Sequence, residues 1–181
     1  MAQFVRPTSD VTNGWASGGF EDINEASPSD ADFTYSIDKP ASDVLEVHVG
    51  DPTTPMPDTG HVVRYRVATV DGGVLSGDGT LVTLDVSLYQ GATLISGPTA
   101  ATGFNNATWS PQSFTVSEAE AANITDYSDL RIRFLAAGGA GSPGDRRGAA
   151  VSWAEVELPD ATSGPAVAIL TNHLNLMASN S

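Results

Sequence analysis

Glu155 and Glu157 stand two residues apart on one predicted strand, so their carboxylates share a face. Two acids held a set distance apart are what glycoside hydrolysis requires. A sugar-cleaving face would also need several aromatic rings, and the chain offers Trp15, Trp109, Trp153 and four Tyr, mostly in core-type alternation. The acid pair therefore reads as structural, and no catalytic residue is assigned. His48, His61 and His173 form no His-x-His or His-xxx-His pair, so metal-ligand spacing is missing. His48 is expected on an outward strand face and His61 at a strand start, both solvated. The glycine run 138–144 lacks a Lys-Ser/Thr ending and does not open a helix, which argues against phosphate binding. No Gly-x-Ser-x-Gly elbow is present, because Ala140 precedes Ser142 by two. Asp71 and Asp78 bracket a glycine-rich loop and Asp30 and Asp32 precede a strand, neither with the ordered oxygen spacing of a calcium loop. No cofactor and no metal is expected, and the chain reads as a non-enzyme.

Two arginine pairs are the more informative polar feature. Arg64 with Arg66, and Arg131 with Arg133, each put two guanidinium groups on one strand face. If the strands share a sheet, Glu46, Asp85, Glu155 and Glu157 are available to pair with them across it. The functional alternative is a subunit interface, where the planar guanidinium fork is favoured.

The elements that must position these groups are strands. Period-two alternation places Phe33, Tyr35 and Ile37 on one face, and likewise Leu45, Val47 and Val49. It recurs in Val63, Tyr65 and Val67, in Val82, Leu84, Val86 and Leu88, and in Leu130, Ile132 and Phe134. Each predicts a half-buried antiparallel strand with those residues in a core. Gly- and Pro-rich turns separate them. Ser117 with Glu120 has capping-box spacing, predicting one or two helical turns before Thr125. In the last strand the apolar phase shifts between Val151, Trp153 and Val156, Leu158. A bulge near Ala154 would put all four on the core face, the alternative being an outward Trp153. The fold class is all-β: an antiparallel β-sandwich of jelly-roll type with one short helix. The domain occupies 13–161, with an N-terminal arm over 1–12 and a C-terminal arm over 162–181. In the latter, Val167, Leu170, Leu174 and Met177 fall at spacings of three, four and three, a short stripe that needs a partner surface.

Composition narrows the partners. With 22 acidic against 8 basic residues the net charge is −14, which repels nucleic acid and anionic membranes. The absence of Cys removes disulfides, thiolate ligands and thiol nucleophiles. No N-terminal basic-plus-apolar leader and no run long enough to span a bilayer is seen, so a product made and kept in a cytosol until assembled or released is expected.

Several segments occur together in a recognisable order: His61-Val62-Val63-Arg64-Tyr65-Arg66, Val82 to Gly91, Ile124 to Phe134 with Asp126-Tyr127-Ser128-Asp129-Leu130-Arg131, and Ala150-Val151-Ser152-Trp153-Ala154-Glu155-Val156-Glu157-Leu158-Pro159. Over Asp43 to Ala161 the chain resembles jelly-roll modules of tailed-bacteriophage structural proteins. These include head decoration or cement proteins and tail-associated proteins that bind host surface glycans. The resemblance implies a non-enzymatic virion protein on the outer capsid surface, with the major capsid protein and further copies of itself, as a homotrimer, for partners. Under that reading Arg64, Arg66, Arg131, Arg133 and the stripe Val167, Leu170, Leu174, Met177 are interface candidates. The rival reading is a carbohydrate-binding or host-adhesion module, with Trp15 or Trp109 as an exposed platform.

Overall fold

The computed structural model describes residues 2–53, 58–77, 82–102, 104, 107–138 and 147–160. Its elements are β1 (Ala2–Val5), β2 (Pro7–Asn13), β3 (Thr34–Tyr35), β4 (Asp43–Val49), β5 (Val62–Asp71), β6 (Val74–Leu75), β7 (Val82–Gln90), β8 (Thr93–Ala100), β9 (Ser110–Thr115), α1 (Glu118–Ala121), β10 (Leu130–Gly138) and β11 (Gly148–Pro159). Two antiparallel sheets face each other. Sheet I runs β1-β11-β5, with β9 and β6 beyond β5 and β3 continuing the β1 side of β11; sheet II runs β2-β4-β10-β7-β8. Counting β1, β4, β5, β7, β8, β9, β10 and β11 as first to eighth, sheet I pairs first, eighth, third and sixth, while sheet II pairs second, seventh, fourth and fifth. That interleaving is the jelly-roll connection, so the expected fold class stands.

Alternation placed most of the core correctly. Val63, Tyr65 and Val67 of β5, Leu45, Val47 and Val49 of β4, Val82, Leu84, Val86 and Leu88 of β7 and Leu130, Ile132 and Phe134 of β10 are all buried between the sheets. The predicted helix is α1. Ser117 caps it by accepting from Glu120 N, and the Glu120 carboxylate reaches back to Ser117 N at 2.8 Å.

Three expectations are corrected. First, residues 2–12 are no arm. β1 extends sheet I against β11 and β2 extends sheet II against β4, so the chain crosses between the sheets at Arg6. β2 escaped the sequence reading because it is an edge strand exposed at every residue after Pro7, which leaves no alternation to read.

Second, Phe33, Tyr35 and Ile37 do not face the core. Thr34 pairs with the inward Val151, whereas Tyr35 pairs with Ala150 on the outer face. The hydroxyls point inward because backbone groups there need partners: Thr34 Oγ1 donates to Ser17 O at 2.8 Å, and Ser36 Oγ accepts from Ala149 N at 3.0 Å. Third, the bulge in β11 sits at Ser152 rather than near Ala154. Val151 stays inside, but Trp153 turns to the outer face beside Arg66, and Ala154, Val156 and Leu158 take the core positions.

Candidate functional site

The two arginine pairs lie on opposite outer faces, since β5 belongs to sheet I and β10 to sheet II. On sheet I, Arg64 pairs with Glu157, and Arg66 grips Asp30 with two bonds of 3.0 and 2.6 Å. Glu155 is taken by Arg6 at 3.1 Å. Burial pushes the Glu155 carboxyl above its ordinary range, while Arg6 and Arg64 pull it back. Each member of the suspected acid pair is thus held by an arginine, an arrangement that locks a sheet surface. On sheet II the Glu46 carboxylate, only 4% exposed, lies between Arg131 and Arg133 at 3.3 and 2.5 Å. Asp129 takes a further 2.8 Å contact from Arg131, and the Arg133 guanidinium stacks over Tyr89 at 4.0 Å from the ring centre. All four arginines among the interface candidates therefore pair with carboxylates of their own chain. Val167, Leu170, Leu174 and Met177 lie outside the described residues.

The two tryptophans proposed as platforms part company. Trp15 is buried, packs on Phe134 at 6.2 Å and donates its indole N–H to Asp43 O at 3.2 Å, so it is a core residue. Trp109 is half-buried and packs edge-on against Phe33 at 5.3 Å, and Phe33 in turn lies 6.0 Å from Tyr35. The three rings gather on the outer face of sheet I. Beside Tyr35 the ladder carries only the small side chains of Ala150 and, across from it, Ala68. The Tyr35 ring lies against Gly73, where an added Cβ would come within 2.7 Å of it. Ile37 and Val74, 48% and 69% exposed, extend the apolar surface on either side. Sequence reasoning missed Phe33 and Tyr35 because alternation fixes two faces without saying which is inside. The available signal was the hydroxyl pair Thr34 and Ser36, able to serve backbone groups in a buried position.

Further along the same face, Trp153 is 7% exposed under the chain segment around Pro28, and its indole donates to Glu25 O at 2.9 Å. His61, expected to be solvated, is fully buried, bonded through Nε2 to the Tyr127 hydroxyl at 2.8 Å and stacked on its ring. Burial lowers its pKa, with Asp58 opposing. Among the described residues no group of His, Asp and Glu is arranged to hold a metal ion, and no helix is long and apolar enough to cross a membrane.

No protein-family model matches this chain, and no curated protein matches it. Among solved structures it is similar to a family 35 carbohydrate binding module from an environmental isolate, at 11% identity and a TM-score of 0.42, over 88% of this chain and 93% of that one. It is also similar to a Stig cyclase, Fisc, from Fischerella sp. TAU, at 13% identity and a TM-score of 0.42, over 86% of this chain and 90% of that one. At this level of likeness neither neighbour assigns a role to this chain.

Proposed function

We propose that this chain is a non-catalytic recognition module that binds carbohydrate through Trp109, Phe33 and Tyr35. The observation that carries the reading is the gathering of three half-exposed rings on one sheet face, where alternation would have buried two of them. Aromatic side chains offer a rigid apolar face together with a polar edge, which suits a ligand with apolar C–H faces and hydroxyl rims. The net charge of −14 favours neutral glycans over anionic ones. Titration of the full chain with a panel of neutral oligosaccharides, by calorimetry, tests this. At least one should bind, and Trp109→Ala should weaken it tenfold or more. Unchanged affinity in that variant, or no binding across the panel, ends the reading.

The sequence resemblance supports a virion of a tailed phage as the setting. A second reading, a decoration protein on the outer capsid lattice beside the major capsid protein, has its own support: both edge strands of sheet II carry exposed apolar side chains, Val11 on β2 at 41% and Leu94 on β8 at 45%. Opposite edges of that kind suit repeated lateral contacts, in a homotrimer or a lattice. Quantitative mass spectrometry of purified virions separates the two readings: copy number near that of the capsid protein favours decoration, and a few copies per particle favour adhesion.

A further inference from the structure

The outer face of sheet II carries a cleft that none of the preceding roles uses. In register across the sheet, Val44 of β4, Leu135 of β10 and Asp85 of β7 form one row, and Glu46, Arg133 and Ser87 form the next. Ser42, Tyr89 and Pro98 of β8 complete the lining of a space of about 260 Å³. Gly97 lets β8 approach this closely. Its φ is +103°, and an added Cβ would meet Val86 O at 2.8 Å and Ser87 Oγ at 2.9 Å.

The cleft's chemistry is uneven in an informative way. Arg133 contributes no free positive charge, because its Nε and Nη2 both go to Glu46, at 2.6 and 2.5 Å, and its guanidinium plane covers Tyr89. Asp85 differs: among the described residues its carboxylate has no hydrogen-bond or ion-pair partner, and the side-chain hydroxyls of Ser42, Ser87 and Tyr89 have no hydrogen-bond partner either. Val44, Leu135 and Pro98 supply the apolar part of the lining. A carboxylate able to accept two hydroxyls, neighbouring hydroxyls that both donate and accept, and an aliphatic floor together match a sugar ring with one C–H face and vicinal hydroxyls. An anionic ligand would meet Asp85 and a net charge of −14 with no available cation to offset them. The volume falls below the ~300 Å³ lower bound for drug-sized ligands, which limits the occupant to about one ring.

We infer that this cleft is a second carbohydrate site, taking a single neutral pyranose, on the face opposite the Trp109 patch. The inference rests on the carbohydrate reading for its ligand class and on different residues for its location, so the two fail separately.

The test is a titration of the full chain, labelled with 15N, with methyl β-D-glucopyranoside, methyl β-D-galactopyranoside and methyl α-D-mannopyranoside, followed by amide chemical shifts. D-glucuronate and D-glucosamine serve as charged controls. At least one neutral glycoside should shift amides at 42–44, 85–89, 97, 99 and 133–135 saturably. Asp85→Ala should weaken that response at least tenfold, and Ser42→Trp, which fills the cleft from its exposed rim, should abolish it. Trp109→Ala should leave it intact. The dispersed spectrum of each variant shows that it is folded. Shifts confined to 33–37 and 109, or a cleft response unchanged in Ser42→Trp, overturn the second site while leaving the aromatic patch standing. A response to glucosamine alone overturns the neutral class, and no cleft response to any probe removes the site.

Discussion

Trp153 stands opposite Arg66 in the ladder between β5 and β11, whereas Val151 stands opposite Val67, so the unmatched Ser152 is what turns the indole outward. A one-residue change of register moves every side chain beyond it to the other face. Deleting Ser152 removes only the unmatched residue, so Val151 and Trp153 should face the consecutive partners Val67 and Arg66, with Trp153 still outside and Ala154, Val156 and Leu158 still in the core. The expected outcome is a folded variant that still unfolds cooperatively. Ser152→Ala keeps the bulge and loses only the 2.8 Å bond from Ser152 Oγ to Asp30, a cost of about 1 kcal/mol. Urea unfolding of the two variants makes the comparison, and a deletion variant that loses cooperative unfolding would show that the strands depend on the bulge for more than absorbing one extra residue.

Glu46 is the acid on which the outer surface of sheet II depends, since Arg131 and Arg133 both close on it while its own side chain is 4% exposed. Removing the shared partner leaves two guanidinium groups facing each other without a carboxylate between them. Both arginines keep 24% and 35% exposure, so solvent screens part of the loss, and Glu46→Ala should cost about 1–2 kcal/mol. The more exposed Asp30, at 37%, gives up the screened Arg66 pair together with the Ser152 bond when changed to Ala, and should cost about 1 kcal/mol, most of it from the Ser152 bond. Denaturant midpoints at low and high salt check the order, with the Glu46 effect shrinking less in salt.

Two glycines with positive φ should respond differently to alanine. At Gly97 an added Cβ would lie 2.8 Å from Val86 O and 3.0 Å from Ser87 Cα, both backbone atoms that cannot swing aside. At Gly72, with φ +57°, nothing lies within 4 Å. Gly72→Ala should cost about 1 kcal/mol, the conformational penalty alone. Gly97→Ala should cost about 3 kcal/mol or more and should also disturb the amides of Ser87 and Pro98's neighbours. Equal midpoints for the two variants would mean that the close approach of β8 to β7 is not rigid.

The fold was legible in the chain wherever one face of a strand meets the core and the other meets water. Leu130, Ile132 and Phe134 against Arg131 and Arg133 is the clearest case, and Val82 to Leu88 follows it. Legibility failed where that asymmetry fails. β2 is exposed beyond Pro7, and most of β11 is buried on both faces, so neither shows a period. At Phe33–Ile37 the period was present but inverted, because the inward hydroxyls of Thr34 and Ser36 serve Ser17 O and Ala149 N. Of the candidate site, Trp109 was within reach of sequence. Its companions Phe33 and Tyr35 were not, since pairing of Tyr35 with the outward Ala150 is a property of register. The acids Glu46 and Glu157 were correctly expected to meet the arginine pairs, but Asp85 meets neither pair, and Glu155 went to Arg6, which joins β1 to β2, two strands that had not been recognised.

His61 gives the protein a pH-dependent stability with a defined sign. Burial lowers its pKa from 6.5, so as pH falls below 6.5 the unfolded chain takes up a proton that the folded protein does not. The unfolded state then binds more protons, and stability falls with falling pH until the folded pKa is reached, by at most about 1.4 kcal/mol per pH unit. Glu25 and Glu155, whose carboxyls burial raises from 4.5, act with the opposite sign above that value, because there the folded state holds the extra protons. Comparing wild type with His61→Gln isolates the imidazole. The variant should lose part of its stability at pH 7.5 but should show a shallower decline just below pH 6.5. Tyr127→Phe removes the 2.8 Å bond to Nε2 while leaving the imidazole buried, so it should lower stability by about 1 kcal/mol and preserve the slope. Parallel stability–pH curves for wild type and His61→Gln would show that this histidine titrates alike in the folded and unfolded protein.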